Sequence, residues 1–124
     1  MARENGGSPR SLGAIDISPE AIATVAGIAA LECYGVVGMA ARNLQDGLGE
    51  LLRGKDNLTK GIEVNIEGDE VRIDLHVIVK YGTRIREVAR NVIERVRYTV
   101  ETQLGLTVAE VNVIVRGVKM GLEE

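Results

Sequence analysis

The chain contains no tryptophan and no phenylalanine, and Tyr34, Tyr81 and Tyr98 are its only aromatic residues. Its interior must therefore be built from Val, Ile, Leu and Ala, and the usual platforms for stacking bases or sugars are nearly missing. Cys33 is the single cysteine, which excludes an internal disulfide and fits a reducing compartment. His76 is the single histidine, so neither a zinc site nor a His/Cys catalytic pair is supported. There is no excess of positive charge: the net charge is -3 and the isoelectric point about 5.3, so no global field draws the chain to nucleic acid. No apolar run approaches the roughly 20 residues of a membrane-spanning helix. The opening MARENGGSPRSLG has arginines but no hydrophobic segment of the kind a secretory signal carries, and a cytoplasmic location is expected.

What is present is ordinary in amount, with 45% hydrophobic and 27% charged residues in 124. That length suits one domain burying roughly two-thirds of its unfolded surface. Residues 1–11 read as a flexible tail, 12–120 as a single domain and 121–124 as a second short tail.

Residues 14–17 look like a short strand. Ser18-Pro19-Glu20 then forms a helix start: Ser18 can cap free amides, Pro19 suits the first helical position, and Glu20 lies at the positive end of the dipole. This helix runs to about Glu32, with Ala23, Ala26, Gly27 and Ala30 forming a smooth face that another backbone can approach. The stretch 33–41, CYGVVGMAA, reads as a strand broken by Gly35 and Gly38. Residues 42–61 read as a polar loop with a short helix that lays Leu44, Leu48, Leu51 and Leu52 on the core.

Residues 62–81 are a hairpin. With Gly68-Asp69 as a two-residue turn, Ile66 faces Val71, Val64 faces Ile73 and Ile62 faces Leu75, so turn and alternation agree on register. Thr83 is expected to cap a second long helix reaching Leu104, with Ile85, Val88, Ala89, Val92, Ile93, Val96, Val100 and Leu104 as its buried stripe. Gly105 ends it, and residues 108–116 form a last strand. The predicted fold is α+β: a two-layer sandwich with a mostly antiparallel sheet of about four to five strands and two long helices on one face.

Few residues carry chemistry. The second helix bears five arginines, but Glu87, Glu94 and Glu101 stand beside Arg90 and Arg97 at i,i+3 and i,i+4 spacing, which reads as a solvated, charge-paired face rather than a phosphate-binding one. His76 and Asp74 share a strand face without any nucleophile, and Cys33 reads as a small core residue. Glu63 and Asp74 face each other across the hairpin as a mild electrostatic cost. Neither a P-loop nor a GxGxxG turn is present. No catalytic residue, cofactor site, metal site or small-molecule substrate is indicated. Ile78 and Ile114 break the polar alternation on two different strands. If those strands are neighbours, the pair forms an exposed aliphatic patch flanked by His76, Asn112 and Arg116, a candidate face for self-association or a partner.

Three blocks together resemble the alkaline shock protein family, also called the envelope stress response or general-stress family, found mostly in Gram-positive bacteria. They are ISPEAIATVAGIAALECYGVVGM, KGIEVNIEGDEVRIDLHVIVKYG and the segment from Tyr81 to Val118. Within the last, Tyr81-Gly82, Ile85, Glu87-Val88-Ala89, Gly105-Leu106 and Val111-Asn112-Val113 with Gly117-Val118 are the most specific. The chain reads Gln-Leu-Gly at 103–105, where the family often has Thr-Gly. The resemblance spans residues 14–118 and implies a non-enzymatic cytoplasmic protein of cell-envelope homeostasis. It also implies self-association and, for some members, a place at the membrane held through a separate membrane-anchored partner, with no insertion of its own. A regulatory link to fatty-acid metabolism is a variant of this reading. A small RNA-binding module is the alternative, disfavoured by charge and by the scarcity of aromatics.

Overall fold

The computed structural model describes residues 16–41, 51–52 and 59–120. The first helix, α1 (Pro19–Leu31), starts where its residues dictate. The Ser18 side chain accepts a hydrogen bond from the Ala21 amide at 3.0 Å, and Pro19 fills a position whose amide would have no partner. Ala23, Ala26, Gly27 and Ala30 are all buried, so the small-residue face lies against the body of the protein. The strand expected just before α1 is not formed at its described residues: Asp16 and Ile17 are irregular, and Ile17 packs on the core instead. No neighbouring strand pairs with them there. Residues 14–15 lie outside the described residues.

Strand β1 (Val36–Ala40) is shorter than the sequence predicts, because Cys33 to Gly35 form a turn in which Gly35 adopts φ 92°. Strand β2 (Leu51–Leu52) runs antiparallel to β1, with Met39 opposite Leu52 and Ala40 opposite Leu51. This corrects the helical reading of Leu51 and Leu52: the outer edge of β1 offers them backbone partners, and a ladder outweighs a weak local periodicity. Leu44 and Leu48 lie outside the described residues.

A 3-10 turn (Thr59–Gly61) leads into strands β3 (Ile62–Glu67) and β4 (Glu70–Lys80). Their register is the predicted one: Ile66 pairs with Val71, Val64 with Ile73, Ile62 with Leu75 and Glu63 with Asp74. Gly68 takes the left-handed φ of 65° that this tight turn requires. Burial fades toward the turn, from 3% exposure at Ile62 to 45% at Ile66.

Helix α2 (Ile85–Leu104) buries Val88, Val92, Val96 and Val100, one residue per turn of the predicted stripe, while Ile85 at its start stays exposed. Gly105 closes it in the left-handed conformation, donating its amide to the Glu101 carbonyl at 3.1 Å. Thr83 is not its cap. The Thr83 hydroxyl donates to the Lys80 carbonyl at 2.7 Å and stabilises the preceding turn, and Arg84 takes the cap position with no side-chain bond.

Strand β5 (Thr107–Lys119) pairs in parallel with β4 along its whole length, from Glu70–Thr107 to Lys80–Lys119, with two bulges. It therefore takes one entire edge of β4. The other edge is shared, β3 pairing with residues 70–75 and β1 with residues 77–79. Among the described residues the sheet has five strands, antiparallel except for β4–β5, where α2 supplies the crossover that a parallel pair needs. Both helices join Val71, Ile73, Leu75, Val77 and Val79 in one core, which gives the predicted two-layer α+β fold.

Candidate interaction surface

The parallel pairing of β4 and β5 assembles the sheet face turned away from the helices, and the side chains on it are joined in rows. Arg72 and Glu110 form an ion pair at 2.8 Å. Asn112 donates its side-chain amide to the Asp74 carboxylate at 2.9 Å. His76 stands opposite Ile114, and its Nδ1 lies 3.2 Å from Nη1 of Arg116. A guanidinium can only donate, so Nδ1 is the acceptor in this contact. Asp74 and His76 are thus each engaged across the strand pair.

The two strands carrying Ile78 and Ile114 are neighbours, and His76, Asn112 and Arg116 flank Ile114. Ile78, however, is only 6% exposed. It sits where β1 and β5 both pair with β4, level with Gly38 on one side and Gly117 on the other. Ile78 is therefore not part of the surface, and the exposed aliphatic patch reduces to the half-buried Ile114.

The arginines of α2 are also placed differently from their helical projection. Among the described residues, the Glu87–Arg90, Arg90–Glu94, Glu94–Arg97 and Arg97–Glu101 pairs do not form. At the helix start the cap residue Arg84 pairs with Glu87 at 3.4 Å, a contact that is exposed and of little energetic weight. Arg95 reaches α1, pairing with Glu32 at 3.0 Å. Arg97 and Glu101 instead grip β5: Arg97 donates to the Val108 carbonyl at 2.6 Å, and the Val108 amide donates to Glu101 at 3.0 Å. The tertiary position of β5 decides this, because a backbone amide and carbonyl left at a sheet edge are better partners than a solvated opposite charge.

All three tyrosines are exposed. Tyr98 borders a groove of about 420 Å³ between the helices, lined also by Val25, Ile28 and Thr99 and flanked by the Glu32–Arg95 pair. Its acid and base neutralise each other. Cys33 lies near its end, with its thiol directed at the Ala29 carbonyl (3.6 Å) and the Asn91 carbonyl (3.9 Å). Burial raises the Cys33 pKa, opposed by Arg95 and reinforced by Glu32. A raised pKa lowers the thiolate fraction at any given pH, so Cys33 is expected to be alkylated by iodoacetamide several-fold more slowly at pH 8 than a free cysteine. The rate should keep climbing above the pH at which the free thiol levels off. Equal alkylation rates, followed by mass spectrometry, would contradict this placement of the thiol.

Among the described residues no group of three or more His, Cys, Asp or Glu side chains is arranged to hold a metal ion. No described helix is long and apolar enough to cross a membrane. Residues 7–120 match the model of the alkaline shock protein 23 family, whose described role is a cell envelope-related function. The chain belongs to this family. It is 53% identical to the uncharacterised protein YloU of Bacillus subtilis over 109 residues, covering 87% of this chain and 90% of that one. It is 42% identical to Spy1614 of Streptococcus pyogenes, over 87% of this chain and 89% of the relative, and 37% identical to YqhY of Bacillus subtilis, over 87% and 78%. No solved structure matches the chain. The family match takes in α1, α2 and all five strands, so the bonded rows on the open sheet face lie inside the family domain.

Two features of this surface escaped the sequence reading. The Arg72–Glu110 and Asp74–Asn112 rows depend on which strands are neighbours and in what register, and no local pattern carries that information. The grip of Arg97 and Glu101 on Val108 had a signal, their i,i+4 spacing at the C-terminal end of α2, but it pointed to the wrong partner.

Proposed function

We propose that this chain is a non-enzymatic, cytoplasmic scaffolding domain of cell-envelope homeostasis, which self-associates and docks through its open sheet face to a membrane-anchored protein. The observation that carries this reading is the order of that face. Asn112 and Arg116 are held by neighbours on β4 around the half-buried Ile114, leaving a pre-arranged polar surface with an aliphatic centre. Preorganised groups cost little entropy to bury against a partner, and a small apolar centre with a polar rim is the usual anatomy of such contacts. His76 completes the rim. Family membership supplies the cell-envelope context.

The experiment is recovery of the tagged full chain from its own cells, followed by mass spectrometry, with Ile114→Lys in parallel. Wild type should retain a small membrane protein, and Ile114→Lys should lose at least about nine-tenths of it while keeping its melting temperature within a few degrees, since a buried unpaired charge at an interface costs several kcal/mol. Equal recovery by both chains removes the face from the proposal. Co-purified RNA in place of a membrane protein would overturn the reading itself.

A further inference from the structure

Strand β5 is thirteen residues long and, among the described residues, pairs with β4 alone. Its outer edge is answered at Val108, where Arg97 and Glu101 take the backbone carbonyl and amide as a neighbouring strand would. Beyond that grip runs Glu110-Val111-Asn112-Val113-Ile114-Val115-Arg116, uncharged through its middle five residues. A strand edge of this kind is a template for another strand.

We propose that two copies of this chain join along β5, antiparallel, about a two-fold axis at Val113. The inference deepens the self-association in the function proposed above and names the surface that carries it. The argument is one of symmetry and charge. Antiparallel pairing of identical strands needs an axis normal to the sheet, which keeps both helix layers on the same side and requires the axis to pass through a residue. With the axis at Val113, Glu110 comes opposite the partner's Arg116, and Arg116 opposite the partner's Glu110. Val111 meets the partner's Val115, and Val113 meets its own copy. Each Glu110, already paired with Arg72 at 2.8 Å, then lies between two guanidinium groups, while Arg116 keeps its contact with His76. Moving the axis to Asn112 sets Glu110 against Ile114, and moving it to Ile114 sets Glu110 against Val118. Neither forms a charge pair. Charge pairing thus selects one register.

The test is a charge swap in the full chain, read by sedimentation equilibrium over a range of concentrations. Wild type should dimerise. Glu110→Arg and Arg116→Glu should each raise the dimer dissociation constant about tenfold or more, since like charges then stand opposite each other twice per dimer. The double variant should return to within about threefold of wild type. A monomeric wild type, single variants that associate like wild type, or a double variant as weak as the singles would each overturn the pairing. Should a single variant fail to fold, Val113→Cys in a Cys33→Ser chain gives a second reading. Its thiol faces its own copy at the axis, and mild oxidation should give a disulfide-linked dimer; a chain that stays monomeric overturns the proposal. A monomer that still recovers its membrane protein would end the β5 pairing and leave the docking function standing.

Discussion

Replacing Gly35 by alanine is expected to cost the fold about 3 kcal/mol, from two sources of similar size. Gly35 has φ 92°, a region in which a side chain costs about 1–2 kcal/mol. A Cβ there would also lie 2.7 Å from Cγ2 of Val88, a buried residue of α2. Valine in a helix has one strongly preferred rotamer, so it cannot turn away cheaply, and overpacking of this kind costs about 1–3 kcal/mol. Relief by movement is limited as well, because the Gly35 carbonyl accepts the Lys80 amide at 2.8 Å and so ties the turn to the end of β4. Gly82→Ala separates the two terms. Gly82 has φ 90° but open space where its Cβ would go, so only the backbone cost applies, about 1–2 kcal/mol. Urea unfolding should show both variants with the wild-type slope and with midpoints in that order. Equal losses would mean that Val88 does not press on the turn.

Leu75→Ala is expected to cost about 3–4 kcal/mol, as a large-to-small change at a site with no exposure. Leu75 lies on the central strand, between Ile62 of β3 and Val113 of β5 and beneath both helices, so neighbours on every side are fixed and the cavity cannot collapse. Ile66→Ala removes a similar volume from the same face of the same hairpin, yet should cost less than about 1 kcal/mol, since Ile66 already meets water. The comparison isolates tertiary position, because the alternation that marks Ile66 is the one that marks Leu75. Similar losses in thermal and urea unfolding would show that the helices cover the hairpin to its tip.

The hairpin shows how far local pattern reaches. A period of two and a Gly-Asp turn fixed three apolar pairs and the facing carboxylates of Glu63 and Asp74, because a one-residue slip would turn every valine and isoleucine to water. The ends of α1 and α2 were legible for a similar reason: Ser18, Pro19 and Gly105 each answer a backbone requirement within one turn. Thr83 shows the limit, since a hydroxyl near a helix start has more than one carbonyl or amide in reach, and here it serves the turn at Lys80.

The sequence by itself determined the composition of the core, the two helices, the hairpin register and the family, because each rests on residues close together in the chain. Tertiary structure decided that β5 lies parallel to β4, and much of the surface follows from that one fact. It sets Asn112 beside Asp74 and Arg116 beside His76, and turns Arg97 and Glu101 from helical ion pairs into a grip on Val108. Parallel neighbours are joined through a long crossover, so their register is set by how α2 packs on the sheet, and that packing is spread over residues far apart in the chain.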